Sequence, residues 1–95
     1  MRECIIHGDR ISDWDALYDQ FTHDLDLPQW FGRNLDALHD CLTEQMDCQI
    51  TIYHWKQLAH NLGIKAEAFR QMLIDTGLES EHLTVSIMDE EPDEI

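Results

Sequence analysis

Hydrophobic and polar positions change period several times along this chain, and the changes divide it into seven elements. Cys4, Ile5 and Ile6 form a short apolar run within Glu3 to His7, closed by Gly8-Asp9, which predicts a strand. Trp14, Leu17, Tyr18, Phe21 and Leu25 then fall at i, i+3, i+4, i+7 and i+11, one stripe of a helix. Ser12 is placed as its N-cap, with Asp15 at capping-box spacing. Pro28 and Gly32 bracket a turn holding Trp30 and Phe31, and Asn34 is a good N-cap for a second helix from Leu35 to Gln45. Cys48 to Tyr53 alternates around Ile50 and Ile52 as a strand. Trp55 to Leu62 reads as a short helix stopped by Gly63. Lys65 to Thr76 reads as a longer one, with Ala66, Phe69, Met72 and Leu73 on one side and Gly77 beyond its end. Leu83, Val85 and Ile87 alternate with Thr84 and Ser86 in a last strand.

The order β-α-α-β-α-α-β places helices between successive strands, which requires crossovers and parallel pairing. The expectation is a small single-domain α/β fold, a three-stranded parallel sheet with about four helices, one sheet face less completely covered than in a doubly wound protein. The domain is expected to span residues 1–88. Residues 89–95 place five acids around Pro92 and are expected to form an acidic, disordered tail.

Composition changes this picture mainly through charge. An apolar content of 43% is enough for one modest core, but 20 acids against 6 bases leave −14. Nucleic-acid binding requires a basic footprint, so that charge argues against it, and anionic membrane surfaces are excluded on the same grounds. The partner it favours is a basic protein, met by electrostatic steering. No apolar run reaches membrane-spanning length and the start resembles no signal peptide, so a cytoplasmic protein, monomeric when free, is expected. Cys4, Cys41 and Cys48 cannot all pair within one chain, match no zinc spacing, and read as reduced core residues. The six histidines are scattered, and neither a metal nor a cofactor is expected.

The second helix carries the candidate chemistry. Leu35, Leu38 and Leu42, with Cys41 beside them, should enter the core. Asp36, His39, Asp40 and Thr43 share the opposite face. Asp36 and Asp40 stand one turn apart, roughly 6 Å along the axis, where like charges repel. No basic residue at helical spacing relieves them, and Arg33 lies in the turn before. From spacing alone this is either an ordinary solvated face or a binding face. Trp30, in a turn where a large aromatic is hard to bury, is either core or an exposed anchor of the kind enriched in interfaces.

The stretch Leu25-Asp26-Leu27-Pro28-Gln29-Trp30-Phe31-Gly32-Arg33-Asn34-Leu35-Asp36-Ala37-Leu38-His39-Asp40-Cys41-Leu42-Thr43 resembles the signature of the barstar family, intracellular inhibitors of barnase-like bacterial ribonucleases. A weaker likeness covers the whole chain, including His7-Gly8, His54-Trp55-Lys56-Gln57 and the closing strand. The resemblance implies a one-to-one inhibitor that blocks a basic ribonuclease active site with this helix and the turn before it. It implies that Asp40 takes the place of an RNA phosphate, that Asp36 supports it, and that Trp30 covers the enzyme's catalytic His. Gly32, Asn34, Leu35 and Thr43 match other contact positions, and Gln71 and Asp75 fall where the family places acids on the fourth helix. His39 stands where a tryptophan is expected, Gln71 is neutral, and Glu44-Gln45 replace a glycine and an aromatic. The expected ribonuclease-binding set is therefore Trp30, Gly32, Asn34, Leu35, Asp36, His39, Asp40, Thr43, Glu44, Gln71 and Asp75. The departures bear on which ribonuclease is the target.

Three other readings are weaker. Paired helix-face acids without a nucleophile elbow or Gly-rich loop do not make an enzyme. No histidine forms an i, i+4 pair with a Cys or a second His, and His39 with Asp36 or Asp40 offers at most adventitious metal binding. An acyl-carrier role fails because no serine heads the second helix. The remaining alternative is an immunity protein, as in a toxin-antitoxin pair, against a nuclease delivered by a neighbouring cell, or an acidic module with another basic target.

Overall fold

Three β-strands and four α-helices make up most of the described part of the computed structural model, which describes residues 2–28, 31–44 and 47–89. In chain order they are β1 (Arg2–His7), α1 (Trp14–Leu25), α2 (Leu35–Glu44), β2 (Cys48–Tyr53), α3 (Trp55–Leu62), α4 (Ala66–Glu79) and β3 (Leu83–Ile87). Both strand pairs are parallel and the sheet order is β1-β2-β3, with Cys4 opposite Ile50 and Ile50 opposite Val85. This is the three-stranded parallel α/β fold that the element order requires. Gln45 and most of the acidic tail, residues 90–95, lie outside the described residues.

The core is the product of the two periodicities. Cys4, Ile6, Cys48, Ile50, Ile52 and Leu83 point from the sheet into the helices, while Glu3, Ile5 and Thr84 are exposed. From the helices come Leu17, Phe21 and Leu25 of α1, Leu38 and Leu42 of α2, Leu58 of α3, and Phe69 and Leu73 of α4, all fully buried. Polar groups stitch the layers where the apolar stripes end. Trp14 Nε1 donates to the Leu62 carbonyl at 3.0 Å, and Asn61 Nδ2 donates to the Ile11 carbonyl at 2.9 Å. Gly8 follows β1 where a Cβ would strike the His54 carbonyl and lie 2.7 Å from that of Tyr53, so only glycine lets the chain pass beneath α3.

Two local readings are corrected. The N-cap of α1 is Asp13, whose carboxylate accepts the Ala16 amide at 2.9 Å, and not Ser12. Both residues can cap, and the helix starts at Trp14 with the Asp13 cap. Gly77 does not lie beyond α4. It is inside the helix, which runs to Glu79 and faces β3, where a Cβ would meet Val85 Cγ2 at an ordinary packing distance of 3.4 Å.

All three cysteines are free and buried. Burial first, then the Asp24 carboxylate, pushes the Cys4 thiol up; burial and Asp47 do the same for Cys48, and burial, Glu44 and Asp40 for Cys41. Thiolate is the reactive form, so alkylation near pH 8 is expected to be slow in the native protein and rapid in denaturing guanidinium. Cys41, 7% exposed, should react before Cys4, which is 0% exposed. Peptide mapping of timed labelling checks this, and fast native modification of Cys4 would contradict the packing.

Candidate ribonuclease-binding face

Asn34 fixes where the candidate face begins. Its Oδ1 accepts the Ala37 amide at 2.8 Å and its Nδ2 donates to the Gly32 carbonyl at 3.2 Å, so one side chain both caps α2 and ties down the preceding turn. The Leu38 amide bonds the Asn34 carbonyl at 2.9 Å and begins the helix. Gly32 is exposed and close-packed, since a Cβ there would meet Ala37 Cβ and Asn34 Nδ2, each at 3.3 Å. Trp30 lies outside the described residues.

With its start fixed, α2 separates its faces as its spacing requires. Leu38, Cys41 and Leu42 are buried, and Leu35 is half-buried against the core. Asp36, Asp40, Thr43 and Glu44 are exposed. Thr43 Oγ1 donates to the Asp40 carbonyl at 2.9 Å, leaving the Asp40 carboxylate to solvent and to His39. His39 Nδ1 lies 3.6 Å from Asp40 Oδ1 and its Nε2 lies 3.6 Å from Glu79 Oε2. The imidazole therefore spans from α2 to α4, and its partners are Asp40 and Glu79.

That reach makes the site a two-helix surface. Asp36, His39, Gln71, Met72, Asp75 and Glu79 line one groove between α2 and α4, and Gln71 Nε2 donates to Asp75 Oδ1 at 2.9 Å. On the other flank of α2, Gly32, Asp40 and Glu44 line a second hollow with Phe31 and Cys41. The structure thus groups Asp36, His39, Gln71 and Asp75 on one side and Gly32, Asp40 and Glu44 on the other, with His39 beside Asp40 linking them. Asn34 and Leu35 lie with Asp36 in a third hollow at the head of the helix.

Sequence reasoning missed Glu79. Gln71, Asp75 and Glu79 stand at i, i+4 and i+8 and share one side of α4. Reading Gly77 as a stop ended the helix one turn too early for that pattern to be seen.

Among the described residues, no Lys or Arg pairs with Asp36, Asp40, Asp75 or Glu79, and no group of three or more His, Cys, Asp or Glu side chains is placed to hold a metal ion. No helix among them is long and apolar enough to cross a membrane. Four exposed carboxylates on two packed helices, uncompensated by bases, can accept charge-assisted hydrogen bonds from guanidinium, ammonium or imidazolium groups.

The family model described as "Barstar (barnase inhibitor)" matches residues 1–88. The chain belongs to the barstar family. It is also 44% identical over 52 residues to a Bacillus subtilis (strain 168) protein named "Putative ribonuclease inhibitor YrdF". That match covers 55% of this chain and 57% of the relative, so it spans little more than half of each.

Proposed function

We propose that this protein inhibits a basic bacterial ribonuclease by seating the acidic face of α2 and α4 in the enzyme's RNA-binding site. The observation that carries the reading is the set of carboxylates at Asp36, Asp40, Asp75 and Glu79, which have no Lys or Arg partner among the described residues, in a chain of the barnase-inhibitor family. Like charges on one face cost stability, and a cationic partner removes that cost only on binding. Asp40 occupies the place of a phosphate and Asp36 supports it. Asn34, Leu35, Gly32, Thr43 and Glu44 form the surrounding contacts on α2 and its turn, with Trp30 by its place in the signature stretch. Gln71 and Asp75 meet the enzyme from α4. Because water is excluded from such an interface, each charge-assisted bond gains strength there that it lacks on a free surface.

The protein titrated into RNA-cleavage assays of barnase-like enzymes should abolish activity at one equivalent. Association should slow about tenfold or more between low and high salt, because screening shortens the reach of a −14 charge from a Debye length of about 30 Å at 0.01 M to about 8 Å at 0.15 M. Stopped-flow mixing at several ionic strengths measures this. A salt-independent rate, or no inhibition across a panel of barnase-like ribonucleases that includes the cognate enzyme, would sink the reading.

A further inference from the structure

Arg33 is out of place on an acidic inhibitor surface. It is one of only six bases in the chain, it directly precedes the Asn34 cap, and it lines the hollow that also contains Asp36. Facing a basic partner, a cation there opposes association. Its backbone is also costly, since φ is +51°, a left-handed conformation that residues other than glycine, asparagine and aspartate seldom adopt.

The side chain shows what offsets both costs. Arg33 Nη2 lies 3.1 Å from Asp19 Oδ1, donates to the Asp15 carbonyl at 3.0 Å, and lies 3.5 Å from Asp15 Oδ1. The guanidinium carbon sits 5.7 Å from the centre of the Tyr18 ring. Asp15, Tyr18 and Asp19 lie within one turn of α1, so a single guanidinium reaches two exposed carboxylate residues and the buried tyrosine between them. Phe31, two residues earlier in the same turn, packs edge-on against the same Tyr18 ring at 5.7 Å. The turn before α2 is therefore attached to α1 at two points around one buried tyrosine. Each exposed ion pair alone contributes little, but one nitrogen, Nη2, shared among three oxygens, with the guanidinium over an aromatic ring, holds one geometry.

We infer that Arg33 is a positioning residue of the inhibitory face: it clamps the turn of residues 31–34 onto α1 and so presents Asn34, Asp36 and Asp40 already arranged for the ribonuclease. This rests on the proposed inhibition and adds to it a source of slow dissociation that does not touch the enzyme. The charge is spent internally on Asp15 and Asp19, which explains how a cation is tolerated there. Holding a surface in its bound arrangement lowers the ordering cost of association and shows mainly in the off-rate.

The decisive variants pull the two rate constants apart. Arg33→Asn keeps a residue that tolerates the left-handed backbone, and removes the guanidinium. It should associate about twofold faster at low salt, because a repulsive charge is gone, yet dissociate about tenfold faster, because the turn is released. Asp15→Asn with Asp19→Asn leaves the turn's sequence untouched and strips its partners from α1. That double variant should associate more slowly and again dissociate faster. Arg33→Lys keeps the charge without the planar guanidinium that faces the Tyr18 ring, so its on-rate should match wild type while its off-rate rises. Hydrogen exchange on the free protein gives a second readout, with protection expected to fall for amides of residues 31–37 and not for the sheet. If wild type binds and the off-rates stay within twofold, the clamp is wrong. If wild type binds no ribonuclease, the functional reading fails, and unchanged exchange at residues 31–37 in Arg33→Asn would separately refute the ordering role. A uniform loss of protection across the sheet would assign Arg33 to general stability and overturn the inference.

Discussion

Replacing Asp40 with alanine is expected to weaken binding to the cognate ribonuclease by about 2–5 kcal/mol, or roughly 30-fold to a few thousandfold in Kd. That range derives in part from the barnase–barstar pair itself, so it is carried over from the family. The larger part of the loss comes from the enzyme's side, where cationic groups gathered around a phosphate position would be left buried and unpaired. It should appear mainly in the off-rate. The fold should be untouched, because the Asp40 side chain is 76% exposed and its one close side-chain neighbour among the described residues, His39, stands 3.6 Å away and also reaches Glu79. Removing Asp40 further relieves its repulsion with Asp36 one turn before. Melting temperature is therefore expected to stay within about 2 °C of wild type, a change under 1 kcal/mol in a domain of this size. Surface plasmon resonance against the cognate enzyme, with calorimetry of the free variant, measures both. Binding within threefold of wild type would move the phosphate-mimicking role off this residue.

The contrast between α2 and α4 shows what the sequence makes legible here. On α2 the information is local. Asn34 is a strong cap, Leu38, Cys41 and Leu42 define a single stripe, and the acids can only share the face left over. The same holds for the strands, where alternation around Ile50 and around Val85 settles which side chains enter the core. On α4 the information is tertiary. Gly77 reads as a terminator because glycine often follows a helix, yet here it lies within the helix, facing Val85, a residue eight positions on in another element. With the helix end misplaced, Glu79 could not be put beside Asp75. Ser12 and Asp13 are a smaller instance, since two adjacent residues can cap and local spacing does not choose between them. The grip of Arg33 on α1 joins residues 14 to 18 positions apart through side-chain reach, which no periodicity encodes.

Phe69→Ala is expected to be the most destabilising of the simple truncations, at about 3–5 kcal/mol. The ring is fully buried and is met by three other aromatics from two other helices: edge-on by Trp14 at 5.8 Å and Phe21 at 6.0 Å, and stacked by Trp55 at 6.3 Å. Large aromatics on several sides cannot collapse together into the space one ring leaves, so most of the cavity should persist and carry its full cost. Against a total stability of roughly 5–15 kcal/mol for a natural domain, such a loss is a large fraction. The melting temperature should drop on the order of 20 °C. Phe69→Leu, which refills much of the volume, should recover more than half of the loss. The consequence reaches the binding face because Phe69 anchors the helix that carries Gln71, Asp75 and Glu79. At a temperature where Phe69→Ala remains folded, the α4 wall of the groove should loosen while α2 stays in place. Its affinity should then fall less than that of Asp40→Ala, with the difference concentrated in the contacts of Asp75. Thermal denaturation and binding of both variants, each repeated on an Asp75→Ala background, separate the two effects. A melting temperature lowered by less than about 5 °C would mean that the aromatic cluster is not the centre of this core.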